Sequence, residues 1–225
     1  MTINNNCLFC SIVDYSKKEI MVEDTILFET DNYYVKPALG QFVEGYLLIV
    51  SKSHIPSISH LSENQFTELM NVVTHLKQFM IDVYKGSVTI FEHGIVNHSY
   101  NAGCCIDHAH LHMLPFDYDL HEIISKEFPY AKINSIIDLK QHLVDGMSYL
   151  YYHNCYGVDY TYYISKHIES QYMRRKICER LNISDEYDWA VFPFRNKIKI
   201  LIKKYHAYFQ SKLIDRDEST PEVSD

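Results

Sequence analysis

Between Asp107 and Pro115 the chain reads DHAHLHMLP, which places His108, His110 and His112 at alternate positions. Imidazole is the side chain best suited to chemistry near neutral pH, since its neutral form is a nucleophile, base or metal ligand and its charged form an acid. In a β-strand, successive side chains point to opposite faces, so these three rings would form one row at intervals of roughly 6.5–7 Å. Ala109, Leu111 and Met113 would face the other way. Such a row can bind a metal, carry out acid–base or nucleophilic work, or divide those tasks among its members.

Two further groups bear on the choice. Cys7 and Cys10 form a CxxC pair, a spacing shared by zinc knuckles, redox motifs and ordinary buried cysteines. A structural zinc takes four ligands. His54, just past a strand end in SKSHIPSI, and His108 complete a set of two cysteines and two histidines. Closing long loops through a metal would offset much of the ordering entropy. Upstream of the row, Gly103 with Cys104 and Cys105 can turn successive backbone N–H groups outward as an anion nest, or Gly103 can simply serve a turn. FEHG adds Glu92 and His93, for proton transfer, for ribose hydroxyls, or for an ordinary strand end.

The elements that must position these residues follow from periodicity. TILFET (25–30), NYYVK (32–36), GYLLIV (45–50), SVTIFE (87–92) and the histidine row predict five strands, with short turns that favour antiparallel pairing. HLSENQFTELMNVVTHLKQFMIDVY carries a helical period through Phe66, Leu69, Met70, Val73, Leu76 and Met80. Ser62 and Gln65 form a capping box at its start. The expected fold class is α+β, an antiparallel five-stranded sheet with one long helix over 1–117. An α-rich extension follows over 118–213, with a hairpin in SYLYYHNCYGVDYTYYIS, a helix capped by Ser170 and a further helix over NKIKILIKKYHAYFQSKL. Residues 214–225 are acidic and polar, and disorder is expected there.

At 225 residues, 47% hydrophobic and 22% charged, the chain has the composition of a globular protein with a full core. A formal net charge of −8 gives no global field for DNA or RNA, so no nucleic-acid partner is expected. The first residues lack the pattern of a signal peptide, and no apolar run reaches the length of a membrane span. A cytoplasmic protein with no membrane partner is the expectation, its six cysteines kept as thiols or metal ligands.

Taken together, these features resemble the histidine triad (HIT) superfamily of nucleotide hydrolases and transferases. His108, His110 and His112 match its His-x-His-x-His signature. NHSYNAGCCIDH sets Asn97, Ala102, Gly103, Ile106 and His108 in step with the segment that precedes it. Cys7, Cys10 and SKSH ending at His54 correspond to the zinc-containing branch, and the resemblance covers about residues 5 to 117. It implies that His110 is the nucleophile toward the α-phosphorus of a nucleotide, through a nucleotidyl-histidine. His112 and the backbone around Gly103, Cys104 and Cys105 would bind the phosphate, Asn97 would sit near ribose or phosphate, and His108 would ligate a structural zinc. Small members are frequently homodimers, which the extension here could prevent. Two positions depart from the pattern: Cys104 replaces a common Gln, and Lys36-Pro37 stands where an acidic ribose-binding residue is usual.

In the extension, Gln171, Arg174 and Arg175 near a helix start could hold distal phosphates, or form a solvated basic face. Trp189 reads as core. Two rival functions stay open: a metallohydrolase with all three histidines on one catalytic metal, which leaves the CxxC unused, and a nucleotide-binding protein whose active site has decayed.

Overall fold

The computed structural model describes residues 4, 6–13, 21–97, 102–103 and 106–218. The strands are β1 (Phe28–Glu29), β2 (Tyr33–Pro37), β3 (Leu47–Ser51), β4 (Val88–Gly94), β5 (His110–Pro115), β6 (Tyr130–Ile133), β7 (Ser148–His153) and β8 (Asp159–Ile164). The α-helices are α1 (Leu8–Ile12), α2 (Glu63–Tyr84), α3 (His121–Glu127), α4 (Gln141–Asp145), α5 (Tyr172–Arg180) and α6 (Arg195–Glu218). All described strand pairs are antiparallel, and they join in the order β1-β2-β3-β5-β4-β7-β8-β6. The α+β class holds: the five strands expected before residue 117 are β1–β5, but among the described residues the sheet has eight, because β6, β7 and β8 of the extension join it. The hairpin of the extension does not stand apart: β7 pairs with β4 from Ile90↔His153 to Gly94↔Tyr149 and continues the sheet.

Alternation sorts the side chains into two layers. On one face, Val35, Leu47, Ile49, Ile90, Leu111 and Met113 pack on α2 through Phe66, Leu69, Val73, Leu76, Phe79 and Met80. The capping box forms as expected, with the Gln65 N–H donating to the Ser62 hydroxyl and the Gln65 side chain accepting from the Ser62 N–H. Tyr205 and Phe209 of α6 stack around Phe79. The opposite face carries Tyr34, Tyr46, Leu48, Phe91 and Leu114, covered by α1, α3 and α5 through Phe9, Ile124, Met173 and Ile177. This second layer holds the histidines.

FEHG shows the alternation at work. Glu92 points to the α2 face, where its carboxylate accepts the Ile58 N–H (2.7 Å) and the Tyr149 hydroxyl (2.6 Å). Burial pushes this carboxyl up to about 8, against those hydrogen bonds. Gly94 leaves room for the Tyr149 ring, which a Cβ would strike. His93 points the other way, toward the histidines. Three expectations change in the extension. Ser170 does not cap α5: the N-cap is Gln171, in a left-handed conformation (φ 62°) with no side-chain cap bond. Trp189 is half-buried at a cavity rather than in the core. α6 continues to Glu218, so 214–218 are helical, and 219–225 lie outside the described residues. Among the described residues no helix is long and apolar enough to cross a membrane.

Candidate active site

β5 begins at His110, so His108 lies just before the strand rather than within it. Ala109 is still tied to its neighbours, donating to the Ile55 carbonyl and accepting from the Ser51 N–H. The row therefore divides at Ala109. His108 turns toward the N-terminus, and His110 and His112 face a cavity.

At the first end, ligand-capable atoms of Cys7, Cys10, His54 and His108 all lie within 4.8 Å of one another. His108 Nδ1 is 3.3 Å from Cys7 Sγ, 3.7 Å from Cys10 Sγ and 3.2 Å from His54 Nδ1, and Cys10 Sγ is 3.6 Å from His54 Nδ1. A tetrahedral centre with metal–nitrogen bonds of about 2.0–2.1 Å and metal–sulfur bonds of about 2.3 Å has ligand–ligand edges of roughly 3.3–3.8 Å. These four separations, 3.2–3.7 Å, match those edges closely, and the remaining two pairs lie within 4.8 Å. His108 Nε2 is 2.7 Å from the Ser51 carbonyl, which takes its proton and leaves Nδ1 as the lone-pair nitrogen. Cys7, Cys10 and His108 are buried and His54 is partly so. The group can hold a metal ion.

At the second end is a cavity of about 340 Å³, lined in part by Phe9, His93, Gly103, His110, His112 and Arg174. His110 Nδ1 is 2.6 Å from the His108 carbonyl, so it carries the proton and Nε2 is left with its lone pair. Burial, partly offset by that hydrogen bond, pulls His110 down to about 4, which keeps it neutral and nucleophilic at ordinary pH. His112 stacks on Phe91 (4.3 Å, 9°) and its Nδ1 is 2.6 Å from the Tyr46 hydroxyl. With Tyr46 donating, Nε2–H of His112 is a donor, and burial beside His110 and His93 keeps that ring uncharged.

Gly103 has φ 74°, its carbonyl accepts the Gln171 N–H (3.0 Å), and a Cβ there would meet the Glu169 carbonyl at 2.7 Å. Only glycine fits both the left-handed backbone and the close approach of the extension. Cys104 and Cys105 lie outside the described residues. Asn97 is fixed through its backbone, which donates to and accepts from the Ser148 hydroxyl, and it is not part of the cavity lining.

Of the extension residues, Gln171 and Arg174 reach the cavity and Arg175 does not. Arg174 is buried and donates to the carbonyls of Tyr187, Leu39 and Gly40 while lying over Phe42 (4.7 Å). Much of its hydrogen-bonding capacity therefore clamps the extension to the β2–β3 loop. Arg175 lies over Tyr187 (3.7 Å) and donates to the Ser170 carbonyl. Gln171 keeps a buried Oε1 with no partner among the described residues.

Other lining residues carried no local signal in the sequence. Asp24 enters from a short 3₁₀ turn and pairs with Lys36 at 2.7 Å. Burial pulls the Lys36 ammonium down and Asp24 holds it up. Glu23, beside it, is held below the usual carboxylate range by Arg195 of α6. The acidic groups absent from β2 thus reach the cavity from the preceding turn, a placement that depends on a fold-back no periodicity reveals.

The HIT domain family model matches residues 19–118 of this chain. A bis(5'-adenosyl)-triphosphatase from Dictyostelium discoideum is 23% identical over 108 residues, 47% of this chain and 70% of that protein. Among solved structures, a HIT family protein from Bacillus anthracis superposes with a TM-score of 0.42 at 22% identity, over 51% of this chain and 76% of its own. A member of the HIT family from Bacillus subtilis gives 0.42 at 18% identity, over 54% and 94%.

Proposed function

We propose that this chain is a nucleotide hydrolase or nucleotidyltransferase of the HIT type, acting at the α-phosphate of a nucleotide through His110. One observation carries this reading. His110 is a buried, neutral imidazole whose Nδ1–H is tied to the His108 carbonyl, leaving Nε2 open in a cavity beside Gly103 and His112. The match of residues 19–118 to the HIT domain and the likeness to a dinucleoside triphosphatase support the substrate class.

In this mechanism Nε2 of His110 attacks the α-phosphorus, forming a P–N bond as the bond to the leaving group breaks. The leaving group departs with the electron pair and takes a proton from solvent. Water, or an acceptor hydroxyl, then displaces Nε2 and restores the imidazole. The His108 carbonyl stabilises the positive charge that His110 carries in the intermediate, and Nε2–H of His112 donates to a phosphoryl oxygen without reorganising. Gln171 and Arg174 are assigned to the leaving-group side. Asn97 and Arg175 are the weakest of the substrate-binding assignments, because neither lines the cavity.

Cys7, Cys10, His54 and His108 are proposed to hold one zinc, which would supply cross-linking of the N-terminus to two strand ends rather than chemistry. A three-histidine catalytic metal is disfavoured by the direction of His108, whose free nitrogen faces the cysteines. The deciding experiment is turnover of a dinucleoside polyphosphate followed by quenching at neutral or basic pH and peptide mass spectrometry. A nucleotidyl adduct on the peptide containing His110 is expected, and turnover by His110→Ala at a comparable rate refutes the assignment.

A further inference from the structure

His93 is a fourth histidine in this cavity, and the row does not contain it. The β4–β5 register runs from Val88↔Pro115 to Phe91↔His112, and His93, two residues beyond its end on the same face as Phe91, lies close enough to His110 to interact with it electrostatically. The His93 ring lies 5.9 Å from that of His112 at 82° and is 6% exposed. Its Nε2 accepts the backbone N–H of Met173, in the first turn of α5, at 3.5 Å. A nitrogen that accepts carries no proton, so the neutral ring is protonated at Nδ1. Nδ1 has no hydrogen-bond partner among the described residues, and it is not among the polar atoms sealed away without one. His93 lines the cavity, so its unbonded Nδ1–H is available to a molecule held there.

We propose that His93 is a substrate-contacting residue whose Nδ1–H, aimed by the α5 backbone, donates to a non-bridging oxygen of the phosphoryl group that His110 attacks. The inference rests on the nucleotide reading above and adds a residue to it. Burial and the neighbouring His110 hold His93 down to about 3, so it is an uncharged donor and not a proton reservoir. That suits the position. A charged imidazole would repel the positive charge developing on His110, whereas a fixed neutral donor stabilises phosphoryl charge without that cost.

Two variants separate donation from anchoring. His93→Gln places an amide oxygen near Nε2, able to accept the Met173 N–H, but removes the Nδ1–H donor. His93→Asn keeps a donor near Nδ1 and releases α5. The expected result is that His93→Gln loses on the order of 10²-fold in kcat with a near-native melting temperature, while His93→Asn loses less activity and more thermal stability. Wild-type turnover by His93→Gln, or activity that merely tracks stability in both variants, overturns the proposal. A second readout does not require turnover. Imidazole ¹⁵N–¹H correlation spectra should show His93 as the Nδ1–H tautomer, with that proton shifting on addition of adenosine 5'-phosphate, and an Nε2–H tautomer or an unmoved proton refutes it. If His110→Ala remains active the nucleotidyl-histidine reading fails, and the spectra still judge His93. If His110→Ala is inactive and His93→Gln is normal, only the role of His93 is lost.

Discussion

His108 and His110 are two residues apart and opposite in the nitrogen they leave open. In His108 the Ser51 carbonyl ties Nε2 and Nδ1 faces the cysteines; in His110 the carbonyl of His108 ties Nδ1 and Nε2 faces the cavity. The surroundings differ in the same sense, two thiols and a second imidazole beside His108 and a cavity shared with His112, His93 and Gly103 beside His110, while the Phe9 ring touches both. Residue type and spacing are identical along the row, so the backbone carbonyl each ring meets decides which nitrogen is left with its lone pair, and with it the division of roles proposed above.

The largest effect expected from breaking that division is at the cavity end. His110→Ala should lower kcat by at least about 10³-fold with nucleotide binding and folding preserved, as steady-state kinetics beside equilibrium binding will show. At the other end the reverse holds. Cys7→Ala or removal of metal by a chelator should lower the melting temperature by about 10 °C, a loss of a few kcal/mol in a chain of this size, while kcat in the folded protein changes only several-fold. A chelator that abolishes activity without unfolding the protein would erase the distinction between the ends.

A third test uses pH. His93, like His110, has its folded-state pKa lowered below the ordinary 6.5, to about 3. Its contribution to stability is therefore full above about 6.5 and is lost as pH falls from there toward 3, because the unfolded chain takes up the proton first. The slope is at most about 1.4 kcal/mol per pH unit for each such group. Glu92 is raised to about 8, so its contribution runs the opposite way, lost as pH rises from 4.5 through 8. Denaturant midpoints from pH 4 to 8 should show the acid slope flattened in His93→Gln and the alkaline slope flattened in Glu92→Gln. The smallest effect is at Arg175: Arg175→Ala should change kcat/KM by less than about twofold, since the side chain lies outside the cavity.

How far these features could be read from the sequence depended on whether their cause was local. The capping box at Ser62 and Gln65, the burial of Leu111 and Met113 opposite the histidines, and the meeting of Cys7, Cys10, His54 and His108 all follow from short-range pattern or from ligand chemistry. The pairing of β7 with β4 does not, because a hairpin with aromatics on both faces has the same period whether it stands alone or extends a sheet. Arg174 looked like a phosphate ligand at a helix start, and the carbonyls of Leu39 and Gly40 that occupy it lie far away in the chain. For His93 the sequence left proton transfer, a ribose contact and an ordinary strand end open, since the orientation of its ring depends on Met173, eighty positions on.

The β4–β7 pairing also bears on the order in which the protein matures during synthesis. His110, its neighbours in the row and the cysteine–histidine cluster all lie before residue 117, whereas Gln171, Arg174 and Trp189, which line the cavity, and β7, which covers the β4 edge, come later. A chain that has emerged only to residue 117 lacks the part of the cavity wall that the extension supplies and has no partner for β4 from Ile90 to Gly94. The cavity is therefore complete only when the last third of the chain has docked, so a chain that stops near residue 117 is expected to lack the proposed activity and to carry an open sheet edge.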